Sequence, residues 1–156
     1  MPKTNRSAPP YVYVTYINTT PRALWRALTD SKFIAQYWMG RQNTSTWKKG
    51  AKLESRSPKG ELEWQGKILE SKPPRRLVYT FESVEKKPHV SIASFDIEPV
   101  AKNSPYRGAG VRLIVRHEGV RPGEEYKGIS SGWPAILSSL KSLLETGRGL
   151  GLKHVG

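Results

Sequence analysis

The sequence predicts an α+β fold: six or seven antiparallel strands, with one long helix near the C-terminal end lying across them. Three observations carry this expectation. The stretch "SGWPAILSSLKSLLETG", residues 131–147, has the pattern of a clean amphipathic helix. Residues 44–118 run in period-2 segments separated by turn signals, as antiparallel strands do. A one-sided sheet must hide its apolar face, and no other element is long enough to cover it.

The elements follow in order. "YVYVTYIN" (11–18) is rich in aromatic and β-branched residues and reads as the first strand. Thr20 can cap a short helix with Pro21 at its first position and Leu24, Trp25 and Leu28 on its apolar face. Asp30 can cap a second short helix carrying Phe33, Ile34, Tyr37 and Trp38 and closed by Gly40. Strands are then expected in "AKLESRS", "ELEWQGKILES", "RLVYTFESV", "VSIASFDIEPV" and "VRLIVRHEG". Short turns between them imply antiparallel neighbours. For the last helix, Ser130 or Ser131 is the expected cap, Pro134 falls in the first turn and Gly147 supplies a left-handed stop. At about 100° per residue, Trp133, Ile136, Leu137, Leu140, Leu143 and Leu144 share an arc of roughly 120°.

Composition narrows the function. At 156 residues the chain suits one domain that buries ~68–70% of its unfolded surface. Residues 11–148 form that domain, 1–10 read as a disordered tail and 149–156 as a second tail. The absence of cysteine excludes disulfides, thiolate metal sites and a thiol nucleophile. The first ten residues lack an apolar core and no run approaches the ~18 apolar residues of a membrane span, so a cytoplasmic protein is expected. Lys and Arg number 26 against 13 Asp and Glu, a net charge of +13. Such a field favours anionic partners, but these residues are scattered over turns and termini as a solvated basic surface. Nucleic acid ranks last among partners, because there is no reading helix and no aromatic RNA-binding motif.

No metal or cofactor is expected. His89, His117 and His154 stand far apart in sequence, without a ligand-like cluster. His89, after a proline, and His154, in the tail, are read as solvent-exposed. There is no GxSxG motif, and the closing "GRGLGLKHVG" follows a helix rather than a strand, as a phosphate-cradling loop would not. Glu61 and Glu63 alternate with Leu62 and Trp64, and they are either a carboxylate pair or the wet face of a hairpin. Trp38, Trp64, Tyr79, Phe81, Phe95 and Trp133 all fall at inward positions. They fit either a pocket with an apolar wall or a filled aromatic core. His117 ends the inward face of "VRLIVRH" and is the titratable group best placed to reach a cavity.

The stretches "VYVTYINTTPRALWRALTD", "FIAQYWMG", "GKILESKPPRRLVYTFE" and "GWPAILSSLKSLLETG", in this order, resemble the START-like, or Bet v 1-like, superfamily. Within it they resemble the branch named after the C-terminal domain of the activator of Hsp90 ATPase. The resemblance implies the helix-grip fold: a strongly curved sheet wrapped around the last helix, with the two short helices closing one end. It also implies a space between sheet and helix that often holds an apolar or amphipathic small molecule.

The leading expectation is therefore a binding protein for such a molecule. The aromatic set and His117 would form its walls, and Ile136, Leu137 and Leu140 its helical floor. An alternative within the superfamily is an enzyme of the polyketide cyclase or dehydratase kind, with His117 and Tyr79 as acid–base candidates. A third is a protein-interaction module, like the co-chaperone's domain, using the basic outer surface. Catalysis is not required by the leading reading. A homodimer through edge strands is a further partner that the sheet leaves open.

Overall fold

In the computed structural model, which describes residues 7–84 and 89–153, β1 (Tyr11–Asn18) leads into α1 (Pro21–Thr29) and α2 (Ser31–Tyr37). Six strands follow: β2 (Gln42–Thr44), β3 (Lys52–Arg56), β4 (Leu62–Lys72), β5 (Arg76–Ser83), β6 (Val90–Pro99) and β7 (Gly110–Glu118). The last element is α3 (Glu124–Thr146). The strands form one antiparallel sheet in the order β1-β7-β6-β5-β4-β3-β2. This is the helix-grip architecture that the resemblance implies.

The local chemistry of the short helices is as expected. The Thr20 side chain accepts the Ala23 N–H at 3.1 Å with Pro21 in the first turn, and Asp30 Oδ1 accepts the Lys32 N–H at 2.8 Å. Each satisfies an amide that its helix leaves unpaired. Leu24, Leu28, Ile34, Tyr37 and Trp38 are buried, and the Tyr37 hydroxyl donates to the Ala27 carbonyl at 2.9 Å.

The long helix starts earlier than its sequence signals indicate. It begins at Glu124 after Gly123, so Pro134 lies inside it rather than in its first turn. Ser130 and Ser131 do not cap; both hydroxyls donate back to the Lys127 carbonyl, at 3.3 and 2.8 Å. Proline's missing N–H breaks only one bond of the ladder, and the stripe of Trp133, Ile136, Leu137, Leu140 and Leu143 is buried regardless. Glu124 and Glu125 occupy the first turn, where carboxylates complement the helix dipole. Gly147 closes the helix at φ 86° as expected.

Gly66 shows how closely β4 and β5 approach. A Cβ there would stand 1.8 Å from the Thr80 carbonyl oxygen, and the register of these two strands shifts between Ile68 and Glu70. Such irregularities bend strands.

Both ends of the domain are tied down. Ala8 is buried and its N–H donates to the Val120 carbonyl at 2.8 Å. Past α3, the Leu150 N–H donates to Ser139 Oγ at 3.0 Å, and Ser139 is itself fully buried. Residues 1–6 and His154 lie outside the described residues. Among those described, no helix is long and apolar enough to cross a membrane.

Candidate functional site

The inward faces of β4 to β7 and the buried stripe of α3 meet in a continuous aromatic cluster. Trp133 packs against Trp38 at 5.4 Å between ring centroids and edge-on against Phe95 at 5.6 Å. Tyr79 contacts Trp64, Phe81 and Phe95. The space left among Trp38, Tyr79, Phe95, Trp133, Ile136 and Leu137 is about 10 Å³, at the limit of what one water needs. Leu140 is fully buried and borders neither this void nor the groove described next. The alternative of a filled aromatic core therefore holds for the centre of the domain.

Space opens instead at one end of the sheet, against the first turns of α3. There a groove of about 140 Å³ is lined by Glu63 and Trp64 of β4, Phe81 and Ser83 of β5, His89 and Ser91, and Glu125 and Ile129 of α3. Its floor is the stacked pair Trp64 and Phe81. Its rim is polar. The groove is still a space between sheet and C-terminal helix, but it exists because α3 has two more turns than expected.

Beneath the groove runs a short buried chain of polar groups. Ser91 Oγ lies 2.7 Å from His117 Nε2, and Trp133 Nε1 lies 3.0 Å from His117 Nδ1. Strand alternation produces it: Ser91, Ala93 and Phe95 face inward on β6, and Ala93 pairs directly with His117 on β7. His117 is fully buried, and burial pushes its pKa down to about 4, against a smaller upward pull from the Glu125 carboxylate. The imidazole is therefore neutral at pH 7.

The two acid–base candidates are not brought together. Tyr79 borders the 10 Å³ void, which His117 does not, and burial raises the Tyr79 phenol well above its ordinary value. Nor do Glu61 and Glu63 form a pair. Glu61 precedes β4 and is exposed, while Glu63 is ion-paired with Arg41. Arg41 is half-buried, its Nε has no hydrogen-bond partner among the described residues, and burial pulls its pKa down. His89 is half-buried rather than exposed: its Nε2 lies 2.6 Å from the Gly119 carbonyl and 3.9 Å from Glu125 Oε2. Among the described residues no group of three His, Asp or Glu is gathered as a metal site would need.

Of the groove's lining, Trp64 and Phe81 are among the ligand-binding candidates the sequence offers, whereas Ser83, Ser91, Glu125 and Ile129 are not. Period-2 alternation in "VSIASF" places Ser91 on the inward face with Phe95, so that signal was present. Glu125 and Ile129 became visible only with the true start of α3.

With this geometry in hand, the chain can be set beside known proteins. Its sequence matches the family described as activator of Hsp90 ATPase homolog 1-like protein over residues 18–145. The chain belongs to that family. Among solved structures, protein MLL2253 from Mesorhizobium loti is similar at 26% identity, covering 87% of this chain and 96% of that one, with a TM-score of 0.75. The Aha1 dimer from Colwellia psychrerythraea is similar at 17% identity, covering 91% and 100%, with a TM-score of 0.73. CalU16 from Micromonospora echinospora is similar at 18% identity, covering 91% and 83%, with a TM-score of 0.70. The last two likenesses concern the fold alone. No curated protein matches the chain. In this member of the activator of Hsp90 ATPase homolog 1-like family, the void at the centre is about 10 Å³ and the groove beside α3 is the candidate site.

Proposed function

We propose that this protein binds a small amphipathic molecule, about one ring in size, in the groove between the sheet and the first turns of α3. One observation carries the reading: a stacked Trp64–Phe81 floor lies open to a 140 Å³ space whose remaining lining is largely polar. An apolar platform with a few placed polar groups is what small-ligand sites share. An opening of 140 Å³ lies below the ~300–1,000 Å³ of pockets for drug-sized ligands, which suits a single ring rather than a lipid or a polycycle. The filled interior supports the same limit on size.

Titration of acetophenone and ethylbenzene, followed by the Trp64 indole and Ile129 methyl signals in NMR, tests the reading. Saturable shifts confined to groove residues are expected, and an Ile129→Trp variant, which fills the groove from its half-exposed side, should abolish them. Absence of any saturable shift in the unmodified protein would retire the proposal.

A second reading is favoured by a separate observation. β1 is an edge strand, and on its outer face Val12, Val14 and Tyr16 are 45, 41 and 37% exposed. At this edge the Tyr16 carbonyl and the Asn18 N–H are taken by Lys141 and Glu145 of α3, so the apolar row is what offers a surface to another copy. We infer that two copies of this chain pair along β1, and the relative solved as an Aha1 dimer supports that reading.

A further inference from the structure

Ser91 and His117 have the look of a nucleophile and its base, but the third member of the chain inverts their polarity. In a serine hydrolase, a carboxylate takes the proton of His Nδ1, leaving Nε2 free to accept from the serine hydroxyl. Here the third group is the Trp133 indole, whose Nε1–H can only donate, and it points at His117 Nδ1 from 3.0 Å. Nδ1 must therefore be the unprotonated nitrogen. The single proton of a neutral imidazole then sits on Nε2 and is donated to Ser91 Oγ, 2.7 Å away. Ser91 cannot return its own proton to that nitrogen. Its hydroxyl makes no other hydrogen bond among the described residues, and Ser91 lines the groove.

We propose that Ser91 is a fixed hydrogen-bond donor, held by the positioning residues His117 and Trp133, and that it selects a neutral carbonyl compound as the groove's ligand. This rests on the groove being the binding site. The groove's lining includes two carboxylates, Glu63 and Glu125, and no Lys or Arg. Glu63 is ion-paired with Arg41 and Glu125 with Arg121, so an anionic ligand would meet no cation in the lining itself, whereas a ketone, ester or amide needs only the neutral Ser91 donor. The flat face of a conjugated or aromatic carbonyl compound suits the Trp64–Phe81 platform. The same polarity means that Ser91 is not activated as a nucleophile.

Two measurements test this separately from the groove itself. The protonation of the His117 ring is read by 15N–1H correlation NMR at pH 7 on the intact protein. The Nε2–H tautomer is expected, and a proton on Nδ1, alone or in an imidazolium, overturns the inference whatever binds. Acetophenone, ethylbenzene and benzoate are then titrated onto wild-type protein and Ser91→Ala. Acetophenone should bind wild type about three- to tenfold more tightly than ethylbenzene, the range of one net hydrogen bond. Ser91→Ala should erase that preference while leaving ethylbenzene binding unchanged, which a general loss of structure would not do. Equal affinity for ketone and hydrocarbon in wild type, or tighter binding of benzoate, overturns the ligand class. The Nε2–H tautomer with no binding of any probe overturns the groove reading and the ligand class with it.

Discussion

Trp64 and Phe81, on neighbouring strands β4 and β5, stack with ring centroids 3.9 Å apart and planes 14° from parallel. The pair is both the edge of the core and the floor of the groove, so it joins stability to the proposed binding surface. Trp64→Ala should destabilise the domain by about 3–5 kcal/mol, the usual cost of removing a buried aromatic ring. Urea unfolding measures the loss, and a change below about 1 kcal/mol would contradict the packing described.

Acid should weaken the fold through His117 before most carboxylates titrate. Its folded pKa is depressed from 6.5 to about 4 by burial. The unfolded chain therefore takes up a proton near pH 6.5 that the folded chain refuses until near pH 4. Stability contributed by the neutral ring is complete above pH 6.5 and is lost as the pH falls through that window. The full loss is roughly 3 kcal/mol. Unfolding free energies of wild type and His117→Gln between pH 7.5 and 4.5 check this, and the variant should show the flatter profile. Equal slopes would mean that the histidine is not responsible.

Two glycines should respond in opposite directions to the same substitution. At Gly66 an added methyl group meets the Thr80 carbonyl at 1.8 Å, and Gly66→Ala should cost about 3 kcal/mol or more. Gly128 lies in α3 with no neighbouring heavy atom within 4 Å of its built Cβ. Gly128→Ala should stabilise by about 0.5–1 kcal/mol, the propensity difference in a helix interior. Thermal melts of the two variants give the comparison directly.

Pairing along β1 should depend on its outer apolar row. A Val14→Lys variant places a charge in the middle of that row, a device that natural edge strands use against pairing. Analytical ultracentrifugation should find a concentration-dependent dimer in the wild type and a monomer in the variant. A wild-type protein that stays monomeric across the accessible concentrations would remove the second reading.

Much of this architecture is legible in the sequence because its signals are local. Thr20, Pro21 and Asp30 mark the short helices, and period-2 alternation in "VRLIVRH" puts Val111, Leu113, Val115 and His117 on the inner face, where they are buried. The start of α3 is not local. Gly128 and Pro134 both argue against helix, and the segment before Trp133 carries little apolar stripe, so tertiary packing overrides propensity there. That misplacement hides the groove, since Glu125 and Ile129 are its helical wall. The role of His117 is hidden for a different reason: nothing in the spacing of residues 117 and 133 says that an indole N–H will face the imidazole. Whether the aromatic set encloses a void or fills it depends on rotamers, and periodicity does not encode them.

The sheet order has a consequence for how this chain comes into being. Among the described residues its first strand has β7 as its only strand partner, with Tyr11 opposite His117. On a ribosome adding ~5–20 residues per second, β1 must wait several seconds for that partner to be made. During this interval Val12, Val14 and Tyr16, together with the opposite face of the strand, are unprotected. A strand made before all the others of the sheet is thus among the last to be secured, and aggregation during synthesis should begin there.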